Sequence, residues 1–233
     1  MSAQLPLGIR LREGLDLSSF HSGPNAEPVA LAQRLARGED VHSLYLWGAS
    51  GSGKTHLLQA LCAQAGSGSA YLPLDDLVTL SPAVLEGLAS VRLLCLDGID
   101  AVAGRRGWER ALVACIDSLR HNGGRLVAAG RMPPHEVGLA LHDLSSRLAW
   151  GPVYGLKPLS DTDKCAVLQM RARARGLHMP DAVARYLLTR EARDLPALLA
   201  TLDVLDRASL VAQRRLTVPF VREVLALPSR AQR

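Results

Sequence analysis

The segment Gly48-Ala49-Ser50-Gly51-Ser52-Gly53-Lys54-Thr55 leaves this chain few ways to fold. It fits the pattern G-x-x-x-x-G-K-[ST], the phosphate-binding loop of nucleotide-binding ATPases and GTPases, which works only where a strand runs in and a helix runs out. Glycines let consecutive backbone N–H groups turn inward around phosphate oxygens, because a positive φ costs them little. The helix that follows aims its positive end at the same anion. Lys54 adds a mobile cation for the β- and γ-phosphates, and Thr55 a hydroxyl for Mg2+. Gly48, Ser50, Gly51, Ser52, Gly53, Lys54, Thr55 and the adjoining His56 are the candidate nucleotide-binding residues.

The flanks supply the context that the pattern needs. Ser43-Leu44-Tyr45-Leu46-Trp47 reads as a short strand entering the loop, and His56 to Ala63 as a helix leaving it, with apolar residues at helical spacing. Downstream, Val91-Arg92-Leu93-Leu94-Cys95-Leu96-Asp97 reads as an apolar strand ending in a carboxylate. Asp97 is thereby the candidate that orders the Mg2+ shell through water, opposite Thr55.

With 233 residues, 48% of them hydrophobic, the chain is long enough for a substantial domain and a smaller one, and too apolar to be disordered. No run approaches the roughly 20 apolar residues of a membrane span, and no basic-then-apolar segment opens the chain. A cytoplasmic protein with no membrane partner is expected. Cys62, Cys95, Cys115 and Cys165 form no C-x-x-C pair and read as reduced core cysteines. The seven histidines show no metal-binding spacing. Charge is uneven: residues 1–155 carry 13 Lys+Arg against 14 Asp+Glu, residues 156–233 carry 14 against 8. That excess of positive charge suits nucleic acid or an acidic partner, or else a solvated helical surface. Lys164, Arg171 and Arg175 share one predicted helical face, which favours the first reading slightly.

The layout predicts an α/β fold, a parallel sheet with helices on both faces, followed by a small all-helical domain. Residues 1–28, rich in Gly, Pro and Ser, read as an extended arm, 29–157 as the nucleotide-binding part and 158–233 as the helical part. Strands are predicted at 44–47, 70–74, 91–96, 125–129 and 152–156, and helices at 28–37, after the phosphate loop, at 76–88 and at 107–122. After Pro158 only helices follow, at 161–175, 180–190, 195–214 and 218–225, with Ser160 and Asp161 as N-cap candidates.

Several segments together resemble one family. Trp47 to His56, Leu96-Asp97-Gly98-Ile99-Asp100, Met132-Pro133-Pro134 and Asp143 to Gly151 are similar to the AAA+ domain of the bacterial initiator DnaA. Pro158 to Asp161, Leu205 to Ser209 and Leu216 to Val221 look closer to its Hda branch, the regulators that inactivate DnaA. The resemblance covers nearly the whole chain and ends before the DNA-binding helix-turn-helix domain of DnaA. It implies an AAA+ phosphate-loop sheet with a helical lid, bound ADP or ATP with Mg2+, and adenine contacts around Phe20 to Asn25. It further implies a regulator, with weak ATPase activity of its own, that activates hydrolysis in DnaA and so prevents re-initiation of replication. DnaA and the DNA polymerase sliding clamp are the implied partners, DNA is met indirectly or weakly, and a homo-oligomer is an open option.

Two elements carry that role. Gln4-Leu5-Pro6-Leu7 resembles the peptide by which Hda docks on the clamp, Gln4 bonding at a pocket rim while Leu5 and Leu7 fill an apolar groove, though a terminus with stray leucines would look the same. Arg147 matches the family's arginine finger, a guanidinium that reaches across an interface to a neighbour's γ-phosphate; the plainer alternative is an arginine pairing with Asp143 at i,i+4.

Departures from the family point the same way. Many AAA+ ATPases place a second acid after the Mg2+ aspartate, where this chain has Gly98, with Asp100 two residues on. The sensor strand carries Arg131-Met132 where the family has Asp-Arg, and the lid arginine falls at Pro196, with Arg193 nearby. Binding elements survive while cleavage elements do not, so slow hydrolysis and comparable hold on ADP and ATP are expected. The rival readings are an autonomous AAA+ ATPase or helicase loader, a small-molecule kinase, and a scaffold with an empty pocket.

Overall fold

A computed structural model describes residues 16–39, 41–190 and 194–226, so Gln4, Leu5, Leu7 and Arg193 lie outside the described residues. The chain divides into two compact units after Pro158.

In the first unit, five parallel strands form one sheet in the order β2-β3-β4-β1-β5, with β1 at Ser43–Trp47, β2 at Ser69–Pro73, β3 at Leu93–Asp97, β4 at Arg125–Gly130 and β5 at Val153–Gly155. Strand side chains alternate between two cores. Tyr45, Leu94, Leu96, Leu126 and Ala128 face one layer, where α3 (Leu74–Leu77), α4 (Arg106–His121) and α5 (His142–Leu148) pack; Leu44, Leu46, Leu93, Cys95, Val127 and Ala129 face the other, with α1 (Ala26–Ala36) and α2 (Lys54–Ala65). Burial on both faces is why these strands read as continuous apolar runs. All four cysteines are buried, and none forms a disulfide.

Three expectations are corrected. No single helix spans 76–88: α3 stops at Leu77, and two 3-10 turns follow at Pro82–Leu85 and Leu88–Ser90. Ser81 is extended and caps the first turn, Pro82 has no N–H to continue a helix, and Gly87 turns with φ 85°. The described end of the arm is not extended, since Leu17–Ser19 and Gly23–Asn25 are 3-10 turns and Phe20 packs on the α1–α2 core. Helix α5, on which Arg147 sits, is not among the helices expected from the sequence; at seven residues it is too short for a periodic signal.

Glu109 ties this unit together. Its carboxylate is fully buried in α4 and accepts N–H bonds from Gly104 (2.8 Å), Ala140 (3.0 Å) and Leu141 (2.7 Å). One side chain thus holds the loop before α4 to the segment that enters α5.

The second unit packs α6 (Asp161–Ala174), α7 (Asp181–Arg190), α8 (Leu195–Ala212) and α9 (Val218–Ala226) around Leu168, Val183, Leu187, Leu198, Leu202 and Phe220. Ser160 opens α6 with a capping box: its hydroxyl takes the Asp163 N–H at 3.1 Å, and the Asp163 carboxylate takes the Ser160 N–H at 3.1 Å. Much of the positive charge read from the sequence is paired inside the unit: Lys164 with Asp161 at 3.6 Å, Arg175 with Asp203 at 2.5 Å, Arg185 with Asp181 at 2.6 Å and Arg214 with Glu223 at 2.8 Å. These pairs weaken the basic-face reading of Lys164 and Arg175. Among the described residues, no helix is long and apolar enough to cross a membrane.

Both sets of contacts are open to measurement. Glu109→Gln presents an NH2 to a backbone donor inside the core and is expected to cost about 2 kcal/mol, read as a lower urea midpoint at an unchanged m-value. Ser160→Ala removes a helix cap and is expected to cost about 1 kcal/mol in the same titration.

Candidate functional site

Strand β1 ends at Trp47 and α2 begins at Lys54, so the glycine loop sits at the carboxyl edge of the sheet, where ligands of open α/β sheets bind. Gly48, Gly51 and Gly53 have φ of 151°, 77° and 94°, values that side-chain-bearing residues rarely adopt. A Cβ at Gly48 would also lie 2.8 Å from the Leu156 carbonyl oxygen, so the loop has no room for one. Lys54 Nζ donates to the carbonyl oxygens of Gly48 (2.6 Å) and Ala49 (2.8 Å) and to Ser52 Oγ (3.1 Å). Burial lowers the Lys54 pKa, while Asp97 and Asp100 work against that shift. An ammonium folded onto its own loop, the glycine cradle and the Thr55 hydroxyl in the first turn of α2 form a donor set that fits a polyphosphate.

Around the loop, Asp97 is 9% exposed and accepts a hydrogen bond from Tyr71 Oη at 2.9 Å. Thr55 and Asp97 are hard oxygen donors, the chemistry Mg2+ takes. Among the described residues no group of three His, Cys, Asp or Glu side chains is placed to hold a metal, so Mg2+ here would rely on phosphate oxygens and water. Gly98 follows with φ 77°, and a Cβ there would collide with Asp75 Oδ2 and stand 3.0 Å from Asp75 Cγ. Partial desolvation of an otherwise exposed carboxylate raises the Asp75 pKa, opposed by Arg131 and reinforced by Asp97, Asp100 and Asp76. Asp100 Oδ2 accepts the Arg131 N–H at 2.7 Å, pinning the exit of β4, and Arg131 itself is exposed. Tyr45 Oη donates to the Met132 carbonyl oxygen at 3.0 Å; burial, with Asp100 adding to it, holds that phenol far above its ordinary pKa.

The segment before α1 lies against the same loop. Phe20 meets His56 edge-on, with centroids 5.0 Å apart, and its ring would be 3.4 Å from a Cβ at Gly53. Asn25, nearly buried, donates to the Lys157 carbonyl oxygen at 2.9 Å and accepts the Lys157 N–H at 2.8 Å, clasping the strand exit after β5. The Phe20–Asn25 segment therefore borders the phosphate loop.

Arg147 is not left reaching outward. Its Nε and Nη2 donate to the two carboxylate oxygens of Asp117 on α4 at 2.7 and 2.9 Å, and its Nη1 donates to the Asp143 carbonyl oxygen at 3.0 Å. The Asp143 carboxylate is 3.8 Å away, so the i,i+4 contact exists but is secondary to Asp117. The side chain is 21% exposed, and the hydrogen bond to Asp117 raises its pKa further. Trp150, 43% exposed, receives the Arg120 guanidinium at 4.3 Å and that of Arg147 at 5.5 Å.

The loop residues, Asp97, Asp100 and Arg131 thus gather at one edge of the sheet; Arg147 sits on α5, and Pro196 is in the first turn of α8. Sequence reading missed Asp75 and Asp117. The register of β2 with β3, Pro73 opposite Asp97, places Asp75 beside Gly98, but it is visible only once the strands are paired. Nothing local marks Asp117 as the partner of a residue 30 positions on.

Comparison with known proteins agrees with this geometry. Residues 161–225 match the family model described as "Hda, lid domain". The fold is similar to domain III of the replication initiation protein DnaA from Thermotoga maritima, with a TM-score of 0.79 at 20% identity over 93% of this chain and 98% of that one. It is similar also to AMPPCP-bound DnaA from Aquifex aeolicus (TM-score 0.70, 19% identity, 86% of this chain and 67% of that one). The RuvB Holliday junction branch migration motor of Thermotoga maritima shares the fold at a TM-score of 0.69 and 18% identity, over 91% of this chain and 71% of that one. Residues 161–225 thus match the Hda lid, and the chain as a whole shares the fold of DnaA domain III.

Proposed function

We propose that this chain is an adenine-nucleotide-bound inactivator of DnaA that lends an arginine to DnaA's active site and does not rely on its own. The match of residues 161–225 to the Hda lid carries the reading. Nucleotide occupancy is supported by the loop geometry around Lys54 and by the AMPPCP found in the Aquifex aeolicus DnaA. Mg2+, held by Thr55 and through water by Asp97, would offset phosphate charge. Gly98 offers no side chain and the Arg131 side chain is exposed, which leaves few contacts for a γ-phosphate and favours ADP as the resident ligand.

In this reading Gln4, Leu5 and Leu7 dock on the sliding clamp loaded on DNA, in the cytoplasm, and DNA is reached through the clamp. Arg147 then turns from Asp117 to the γ-phosphate of ATP in DnaA, where a finger is worth about 10³–10⁵ in rate in other systems. DnaA converts to its ADP form, and replication is not re-initiated.

The test is ATP hydrolysis by DnaA on clamp-loaded DNA. Arg147→Ala is expected to reduce stimulation at least about a hundredfold at unchanged clamp binding. Gln4→Ala with Leu5→Ala is expected to lose clamp binding and, with it, stimulation. Full stimulation by both variants would overturn the proposal. Lys54→Ala is expected to weaken ADP binding at least about tenfold in a calorimetric titration, since it removes the loop's own cation.

A further inference from the structure

We propose that Asp75 supplies the carboxylate that position 98 lacks, and that through it the chain keeps a slow hydrolysis of nucleoside triphosphate in its own phosphate loop. The inference rests on nucleotide occupancy of that loop but not on Arg147 or on the clamp peptide.

Gly98 is in the left-handed region at φ 77°, and the volume where its side chain would begin is already taken by the Asp75 carboxylate. No acid could stand at 98 without displacing Asp75. The fold delivers Asp75 there by sheet register: β2 ends at Pro73 opposite Asp97, and the chain turns into α3 so that residue 75 stands beside residue 98. Asp75 thereby stands at the strand edge that also carries Asp97, Asp100 and Arg131. A purely structural role explains the position poorly. Asp75 is exposed, and α3 has only four residues, so it offers little dipole for the charge to stabilise.

The step balances without a further reagent. Asp75 accepts a hydrogen bond from a water molecule and aims its oxygen at the γ-phosphorus. The new P–O bond forms as the bond to the β,γ-bridging oxygen breaks, its electron pair leaves with the diphosphate, and the water's proton ends on the released inorganic phosphate. With no acid at position 98 itself the rate stays low, but a carboxylate remains.

The experiment uses the full chain with Mg2+, comparing wild type with Asp75→Ala, Asp75→Asn and Gly98→Ala, the last because an added Cβ must push the carboxylate away. Single-turnover hydrolysis of ATP is expected to fall about 10²-fold in Asp75→Ala and Gly98→Ala and less in Asp75→Asn, whose amide can still orient water. Binding gives a second readout. ADP affinity is expected to stay within about twofold, whereas the tighter binding of ADP with aluminium fluoride, a mimic of the phosphoryl group in flight, is expected to vanish in Asp75→Ala. Wild-type-like hydrolysis and ADP–aluminium fluoride binding in Asp75→Ala would overturn the proposal, as would absence of any turnover in the wild type. A loss of ADP binding equal to the loss of the fluoride complex would overturn it too, showing that Asp75 builds the pocket without acting on water. Failure of the wild type to bind any adenine nucleotide would overturn both this proposal and the occupancy it rests on, whereas failure of the Arg147 experiment alone leaves it standing.

Discussion

The alignment of three strand ends governs everything at the nucleotide edge of this molecule. Parallel strands buried on both faces have no solvent to satisfy their backbone groups, so the ladder of hydrogen bonds must be complete and its register fixed. Here Trp47 pairs with Gly130, and Ala129 with Asp97. The glycine loop, Gly98 and Arg131 therefore leave the sheet side by side, and a slip of one residue would scatter them to opposite faces. The same register forces Gly130: a Cβ there would run into the Tyr45 hydroxyl, which is committed to the Met132 carbonyl oxygen, and would stand 3.2 Å from Asp100 Oδ2.

On this frame, holding and cutting are separable tasks. Holding a polyphosphate needs inward amides, a cation and a hydroxyl, all supplied by the loop and the first helical turn, and all present. Cutting needs groups from other strand ends aimed at one phosphorus atom, and catalysis of phosphoryl transfer is almost entirely that aim. Gly98 and Arg131 leave two of those strand ends and so bear on the second task. At the exit of β4, Asp100 is engaged with the Arg131 backbone N–H, and the Arg131 side chain is exposed.

The sheet, the loop and the helical second unit are legible in the sequence because each has a local signature: apolar runs of strand length, a spaced glycine motif, helical periodicity with a serine cap. The stretch 76–88 misleads, since its leucines and valines mimic helical spacing while Pro82 and Gly87 break it into turns. Helix α5 is too short to show a period. Asp75, Asp117 and Glu109 stay hidden for a different reason: what makes each important is a partner from another element, brought close by strand register in the case of Asp75 and by packing of α4 in the others. A lone carboxylate in a sequence is most economically read as a solvated charge, and only the fold reveals otherwise.

The grip of Asp117 on Arg147 has a further consequence. Every guanidinium nitrogen has an acceptor within the same subunit, two of them in a fork whose planar geometry suits a carboxylate well. Three of its five N–H groups are used, so one on each of Nη1 and Nη2 remains for an incoming anion. The side chain is held in one orientation before any partner arrives, and turning it toward a more distant anion means giving up the pair with Asp117. The arrangement trades reach for pre-organisation.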